Sequence, residues 1–131
     1  MIPRPLLRRP SRPTWLRAPE RRARVLAEHE SLSVSIRARL SGREPLRFTP
    51  AGIAVIDAVL AHESIQHEAG HERQVEFELA VRFAGDQAEH LDRLPLGARI
   101  LAQGFLAPRR KGSRALRLHV TRFVLLDAPS H

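Results

Sequence analysis

From residue 32 the chain alternates, with Leu32, Val34, Ile36, Ala38 and Leu40 set against Ser33, Ser35, Arg37, Arg39 and Ser41. A period of two marks a strand with one face buried and the other in water. A turn-rich link with Gly42, Pro45, Pro50 and Gly52 follows, and then residues 53–62 (IAVIDAVLAH) form a nearly continuous apolar run. Such a run suits a central strand, and its length alone also allows a short helix. Residues 63–73 read as a polar connection containing Gly70. After it, Val75, Phe77, Leu79, Val81 and Phe83 alternate with Gln74, Glu76, Glu78, Ala80 and Arg82, the clearest strand in the chain. Residues 86–94 (DQAEHLDRL) have helical character, with Asp86 as the expected N-cap and Pro95-Leu96-Gly97 as the stop. Two further strands follow: residues 98–107, and the stretch after the basic loop that Pro108 and Gly112 punctuate.

Three strands, a short helical link and two more strands is the order of an OB-fold, a small five-stranded, partly open all-β barrel whose strand faces and loops bind oligonucleotides. An SH3-like barrel lacks a helix between the third and fourth strands. The expected domain spans residues 31–127, with a tail at 128–131. Residues 1–30 form a leader of another kind: Pro3, Pro5, Pro10, Pro13 and Pro19 lie among eight arginines, a composition that sustains neither a helix nor a central strand. This leader is either a disordered basic arm with affinity for polyanions or a product of the assumed start. Met1 is the only methionine, so an internal start needs a non-standard codon, for instance at Val25. The five prolines disfavour the amphipathic helix of a transit peptide.

Charge sharpens the picture. The formal net charge of the whole chain is +8, of which +5 falls in residues 1–30 and +3 in the remainder. The densest basic run of the barrel is residues 109–122, which hold six Lys or Arg and no carboxylate, at the tip of the last hairpin. Cations gathered on a hairpin tip suit a polyanion backbone, although surface loops are also basic for solubility alone. Cysteine is absent, which excludes disulfides, thiolate zinc sites and cysteine nucleophiles. No apolar stretch approaches the roughly 20 residues of a membrane span, and the N-terminus lacks the apolar core of a secretory signal, so a cytoplasmic protein is expected.

One motif resembles chemistry. His67-Glu68-Ala69-Gly70-His71 satisfies H-E-x-x-H, in which two His one helical turn apart bind zinc and the Glu activates water. That chemistry needs a regular helix and a third ligand, and here the pentapeptide lies in a polar link containing a glycine, with no apolar stripe to dock a helix. No Gly-x-Ser-x-Gly elbow, phosphate loop or dinucleotide fingerprint is present, and His62 and His119 read as structural residues within strands. The chain is therefore expected to be no enzyme, with no cofactor, no metal and no small-molecule substrate. Among the aromatics, Phe77 and Phe83 share the apolar face of their strand and read as core. Phe105 shares its parity with Arg99 and Gln103, which argues for the outer face, and Phe48 in its turn-rich link stays open. Arg37 and Arg39 either line a groove or face water, and water is favoured.

Four segments carry a family likeness: residues 49–53 (TPAGI), residues 60–74 (LAHESIQHEAGHERQ), Gly97-x-x-Ile100-x-x-Gln103-Gly104-Phe105, and Leu118-His119-x-x-x-Phe123-x-Leu125-Leu126-Asp127. Together they resemble the PriB family of primosomal replication proteins, bacterial relatives of single-stranded DNA-binding proteins. The resemblance covers residues 31–127 and leaves out the leader. It implies a homodimeric OB-fold that binds single-stranded DNA with little sequence preference and assists helicase reloading at stalled forks alongside a PriA-type helicase. The family's basic loop positions fall on Arg109, Lys111 and Arg114, and another falls on Arg47. Two positions depart: a base-stacking aromatic falls on Glu76, and a basic residue on Glu63. A carboxylate repels phosphate, so DNA binding is expected to be weaker or to shift toward Arg47, Phe48, Arg82 and the basic loop.

The candidate nucleic-acid-binding set is thus Arg47, Phe48, Arg82, Phe105, Arg109, Arg110, Lys111, Arg114 and Arg117. The alternative is a protein-interaction adaptor for replication helicases with weak or lost DNA binding, a reading favoured by Glu63, Glu68, Glu72, Glu76 and Glu78. Salt discriminates the two, because phosphate binding falls steeply with it and a partner interface with an apolar core falls less. For a dimer interface the apolar second strand offers Val55 and Val59.

Overall fold

The computed structural model describes residues 30–129, so residues 1–29 of the expected leader and the end of the tail lie outside the described residues. The strands are β1 (Val34–Arg43), β2 (Arg47–Phe48), β3 (Ala54–Glu68), β4 (His71–Ala84), β5 (Arg99–Pro108) and β6 (Leu116–Asp127), with one helix, α1 (Asp86–Asp92), between β4 and β5. The sheet runs β1-β5-β6-β4-β3-β2, and an additional pairing of β1 with β3 closes the five long strands into a ring. This is the expected OB-fold layout, with the two-residue β2 added where the link before β3 runs beside it.

Closure depends on β1 changing partners. Val34 to Arg39 pair with β5, Arg39 to Arg43 pair with β3, and the register slips between Leu40 and Gly42. The bulge lets one strand bend round a corner of the barrel. Inside, the alternation read from the sequence fills the core: Ile36, Ala38 and Leu40 from β1, Ile56, Ala58 and Leu60 from β3, Val81 and Phe83 from β4, and Ile100 and Ala102 from β5 are all buried. Leu32 is an exception, because β1 begins at Val34 and leaves it exposed. Helix α1 contributes Ala88 and Leu91 to the same core. Its N-cap is Gly85, at a φ of 65° and with no side-chain hydrogen bond; Asp86, the expected cap, is the first helical residue. The other end is tied to the barrel by Arg43, whose Nη1 donates to the Leu91 carbonyl at 2.9 Å.

The polar connection expected at residues 63–73 is instead the outer half of a long hairpin. Strands β3 and β4 stay paired from Val55 opposite Ala84 to Glu68 opposite His71, leaving Ala69-Gly70 as the turn. Both turn residues have positive φ, 52° and 79°, as the two-residue turn that matches strand twist requires. Beyond the barrel neither face of this arm is covered: most of its residues are polar, Ile65 is exposed, and the main-chain ladder holds the arm together. Phe77, expected in the core, lies on this arm at 40% exposure, in contact with the His62 ring at 5.1 Å. His62 itself is structural, bonded to the Arg37 carbonyl at 2.6 Å. The arm also disposes of the zinc motif: His67 pairs with Glu72 and His71 with Glu68, which puts the two imidazoles on opposite faces of a ribbon. Among the described residues no group of three potential ligands is gathered for a metal, and no helix is long and apolar enough to cross a membrane.

Candidate nucleic-acid interface

One row of side chains crosses the outer face of the barrel. In the sheet register Asp57 of β3 lies opposite Arg82 of β4, Arg82 is level with His119 of β6, and His119 lies opposite Phe105 of β5. Residues two apart on a strand share a face, so Arg117 stands next to His119 on the same side. The row therefore places a carboxylate, two guanidiniums and two aromatic rings within a few strand spacings of about 4.8 Å each.

Asp57 is the electrostatic centre. Arg82 Nε donates to its Oδ1 at 2.7 Å and Arg82 Nη2 to its Oδ2 at 3.1 Å, a two-pronged contact. Arg47, placed by β2 pairing with β3, donates from Nη2 to Oδ2 at 2.8 Å, and Arg117 Nη1 comes within 3.6 Å of Oδ1. The hydrogen bonds from Arg82, reinforced by the one from Arg47 and opposed by partial burial, hold the Asp57 carboxyl down at about 2. Arg82 is correspondingly pushed up by Asp57. Three of the arginines expected from the sequence are thus brought together on one carboxylate, and cation outnumbers anion.

The aromatic end of the row is a stack. The rings of Phe105 and His119 lie 5.0 Å apart at an interplanar angle of 2°, and Phe105 is 39% exposed, as its parity implied. Burial, followed by the fields of Arg117 and Arg82, pushes the His119 pKa below its ordinary value of 6.5, so the ring is neutral at pH 7 and stacks without added charge. Phe48, beside Arg47 on β2, is 64% exposed.

The basic loop sits over the Arg117 side of this face. It is closed by Arg109 donating its N–H to the Ala115 carbonyl and by Ser113 donating to the Arg110 carbonyl, each at 2.9 Å, with Gly112 at a φ of 79° making the turn. Arg109 and Arg110 flank the same cleft as Arg82 and Arg117, whereas Lys111 and Arg114 are exposed outside it. Asp57 and His119 are members that the pattern did not single out as site residues. Asp57 had a signal, being the sole charge in the apolar run of residues 53–62.

The acidic departures occupy another surface. Glu63 and Glu76 are direct cross-strand partners on the β3–β4 arm and, with Glu78, line a groove opposite Arg37, Arg39 and Arg99. Like charges face to face weaken a strand pair and leave that spot unsuited to phosphate.

Residues 33–122 match a family described as another single-strand binding protein family. Replication restart protein PriB of Bordetella pertussis is 41% identical over 88 residues, covering 67% of this chain and 82% of that protein. The chain belongs to the PriB family. Replication restart protein PriB of Neisseria meningitidis serogroup B is 40% identical over 80 residues, covering 61% of this chain and 79% of that protein. Among solved structures, PriB from Ralstonia solanacearum superposes with a TM-score of 0.69 at 33% identity, over 74% of this chain and 99% of that one. The single-stranded DNA binding protein of Thermus aquaticus superposes with a TM-score of 0.60 at 28% identity, over 74% of this chain and 50% of that one. As a PriB family member the chain has the barrel of these binding proteins, and its Arg47, Arg82 and Arg117 cluster lies on an outer face of that barrel.

Proposed function

We propose that this chain is a single-stranded DNA-binding accessory protein of replication restart, a binding module rather than a catalyst. The carrying observation is the convergence of Arg47, Arg82 and Arg117 on Asp57 beside the Phe105–His119 stack. Guanidiniums take phosphates and release their counterions, while exposed rings take bases at about 1–3 kcal/mol each, with little regard to sequence. The names and folds of the relatives support the same role. Phe48 extends the stacking surface and Arg109 and Arg110 extend the phosphate track; Lys111 and Arg114 act at longer range from the loop tip.

The protein works in the cytoplasm as a homodimer and hands DNA to a PriA-type helicase. Val55 is buried within the protomer and is no interface candidate, whereas Val124 and Leu126 on β6 offer exposed apolar surface. A second reading, the helicase adaptor, is favoured by the acidic arm, whose Glu63 and Glu76 face each other.

Fluorescence anisotropy of labelled oligo-dT of roughly 30 nucleotides, titrated with the full chain over a salt series, tests the reading. Binding is expected to weaken log-linearly with salt. Arg82→Gln with Arg117→Gln should flatten that slope by about 0.7 for each phosphate that is no longer neutralised, and Lys111→Ala with Arg114→Ala should do less. Absence of binding at low salt would favour the adaptor.

A further inference from the structure

Arg117 is the least comfortable charge in the barrel. Its side chain is only 11% exposed, and its Nε is buried without a hydrogen-bond partner. Asp57, the carboxylate it contacts, is already engaged by Arg82 at 2.7 and 3.1 Å and by Arg47 at 2.8 Å, leaving Arg117 a marginal contact at 3.6 Å, while Glu44 lines the neighbouring cleft without pairing with it among the described residues. A carboxylate offers about four lone-pair sites, and three are taken by better-placed donors. Burial first, then the fields of Arg82, Arg109 and Arg47, act against the charged form of Arg117, and Asp57 offsets them only in part. A buried guanidinium with surplus donors calls for an additional anion.

The cleft next to it is built to receive one. Its lining is Arg82, Arg109, Arg110, Ser113, Ala115 and Arg117, four guanidiniums and a hydroxyl with no carboxylate among them. Ser113 Oγ accepts the Ala115 N–H at 3.0 Å, which fixes the oxygen and leaves its proton to be donated. A phosphodiester carries one charge on two free oxygens. With the Arg82 charge already met by Asp57, the surplus from Arg109, Arg110 and Arg117 still matches a group with two or more charges and at least three oxygens, which planar guanidinium forks bind in pairs.

We propose that the cleft between β4, β6 and the basic loop is a binding pocket for a compact, multiply charged phosphate group, a phosphate monoester or a polyphosphate, held by Arg82, Arg109, Arg110 and Arg117 with Ser113. The pocket stands whether or not the barrel binds single-stranded DNA along its outer face. Its occupant is either the terminal phosphate of a nucleic-acid strand or a free polyphosphate, and the same pocket chemistry serves both.

The probe is inorganic pyrophosphate, added to the full chain at ionic strength held constant with KCl and followed by calorimetry and thermal shift, with sulfate as comparison. Saturable binding tighter than that of sulfate is expected. Arg117→Gln should weaken it by about tenfold or more, the effect of losing charge-assisted hydrogen bonds, while Arg122→Gln, whose side chain donates to Gln103 outside the cleft, should change it less than about twofold. Arg109→Gln, on the exposed loop, repeats the test should Arg117→Gln fail to fold. Pyrophosphate no better than sulfate, or equal losses in Arg122→Gln and the cleft variants, would overturn the pocket. A second arm compares oligo-dT with and without a 5′-phosphate: a preference lost in Arg117→Gln assigns strand ends, and equal binding beside tight pyrophosphate assigns a free polyphosphate. Pyrophosphate binding without oligonucleotide binding removes the DNA reading and keeps the pocket; the reverse removes the pocket alone.

Discussion

Gly104→Ala is expected to lower the melting temperature by roughly 10–20 °C, the largest single effect anticipated outside the core. A Cβ at this position would lie 1.8 Å from the His119 carbonyl oxygen, 2.8 Å from its carbon and 3.0 Å from the Val120 Cα. All three are backbone atoms, so no rotamer change relieves the overlap, and β5 must separate from β6. The close approach exists because the ladder slips here: Gln103 faces Arg122 while Gly104 faces Val120, leaving Thr121 as the extra residue, its hydroxyl donating to the Gln103 carbonyl at 3.1 Å. Forcing the strands apart costs about 3 kcal/mol and displaces His119 and Phe105 with them. Gly42→Ala serves as the control, since its Cβ meets nothing within 4 Å. Thermal circular dichroism of both variants decides the matter; a fall of only a few degrees for Gly104→Ala would show that β6 yields readily.

Asp57→Asn should move stability and affinity in opposite directions. The folded-state pKa of about 2 lies below the ordinary 3.8, so the ionised carboxylate stabilises the fold in full above roughly pH 4, and that contribution is lost as pH falls through about 2. Such a shift is worth at most about 2 kcal/mol, and less at a side chain that water reaches. The variant should therefore be destabilised at neutral pH and lose part of its acid limb. Oligonucleotide binding should tighten by about fivefold, corresponding to about 1 kcal/mol for removing one like charge near a phosphate in water. Urea unfolding at pH 7 and pH 3, run beside the anisotropy titration, reads both effects. Weaker binding would mean that Asp57 serves to aim Arg82 rather than to compete with phosphate for it.

Where one face of a strand is buried, the period-two pattern carries the fold: β1, the barrel half of β4 and the run after Ala98 all fall where alternation puts them. The outer arm does not, for the same physical reason. Residues 63–73 bury neither face, so no periodicity marks them, and Ala69-Gly70 lacks the Asn-Gly or Asp-Gly pair by which such a turn is usually recognised. Phe77 escapes the core expected for it because alternation tells which side a residue takes and not how far the barrel reaches. The candidate site is legible as a charge inventory. Its arrangement is not, because Arg47, Arg82 and Arg117 meet through the cross-strand registers of β2 with β3, β3 with β4 and β4 with β6, which leave no mark in hydrophobic pattern.

The uncovered hairpin arm has a consequence for how the molecule opens. Its amides are held by a two-stranded ladder with little buried apolar surface behind it, whereas those flanking Val81 and Phe83 belong to the closed ring. Hydrogen exchange should accordingly divide β3 and β4 partway along their length, the distal halves exchanging through local fraying and the proximal halves only through global unfolding.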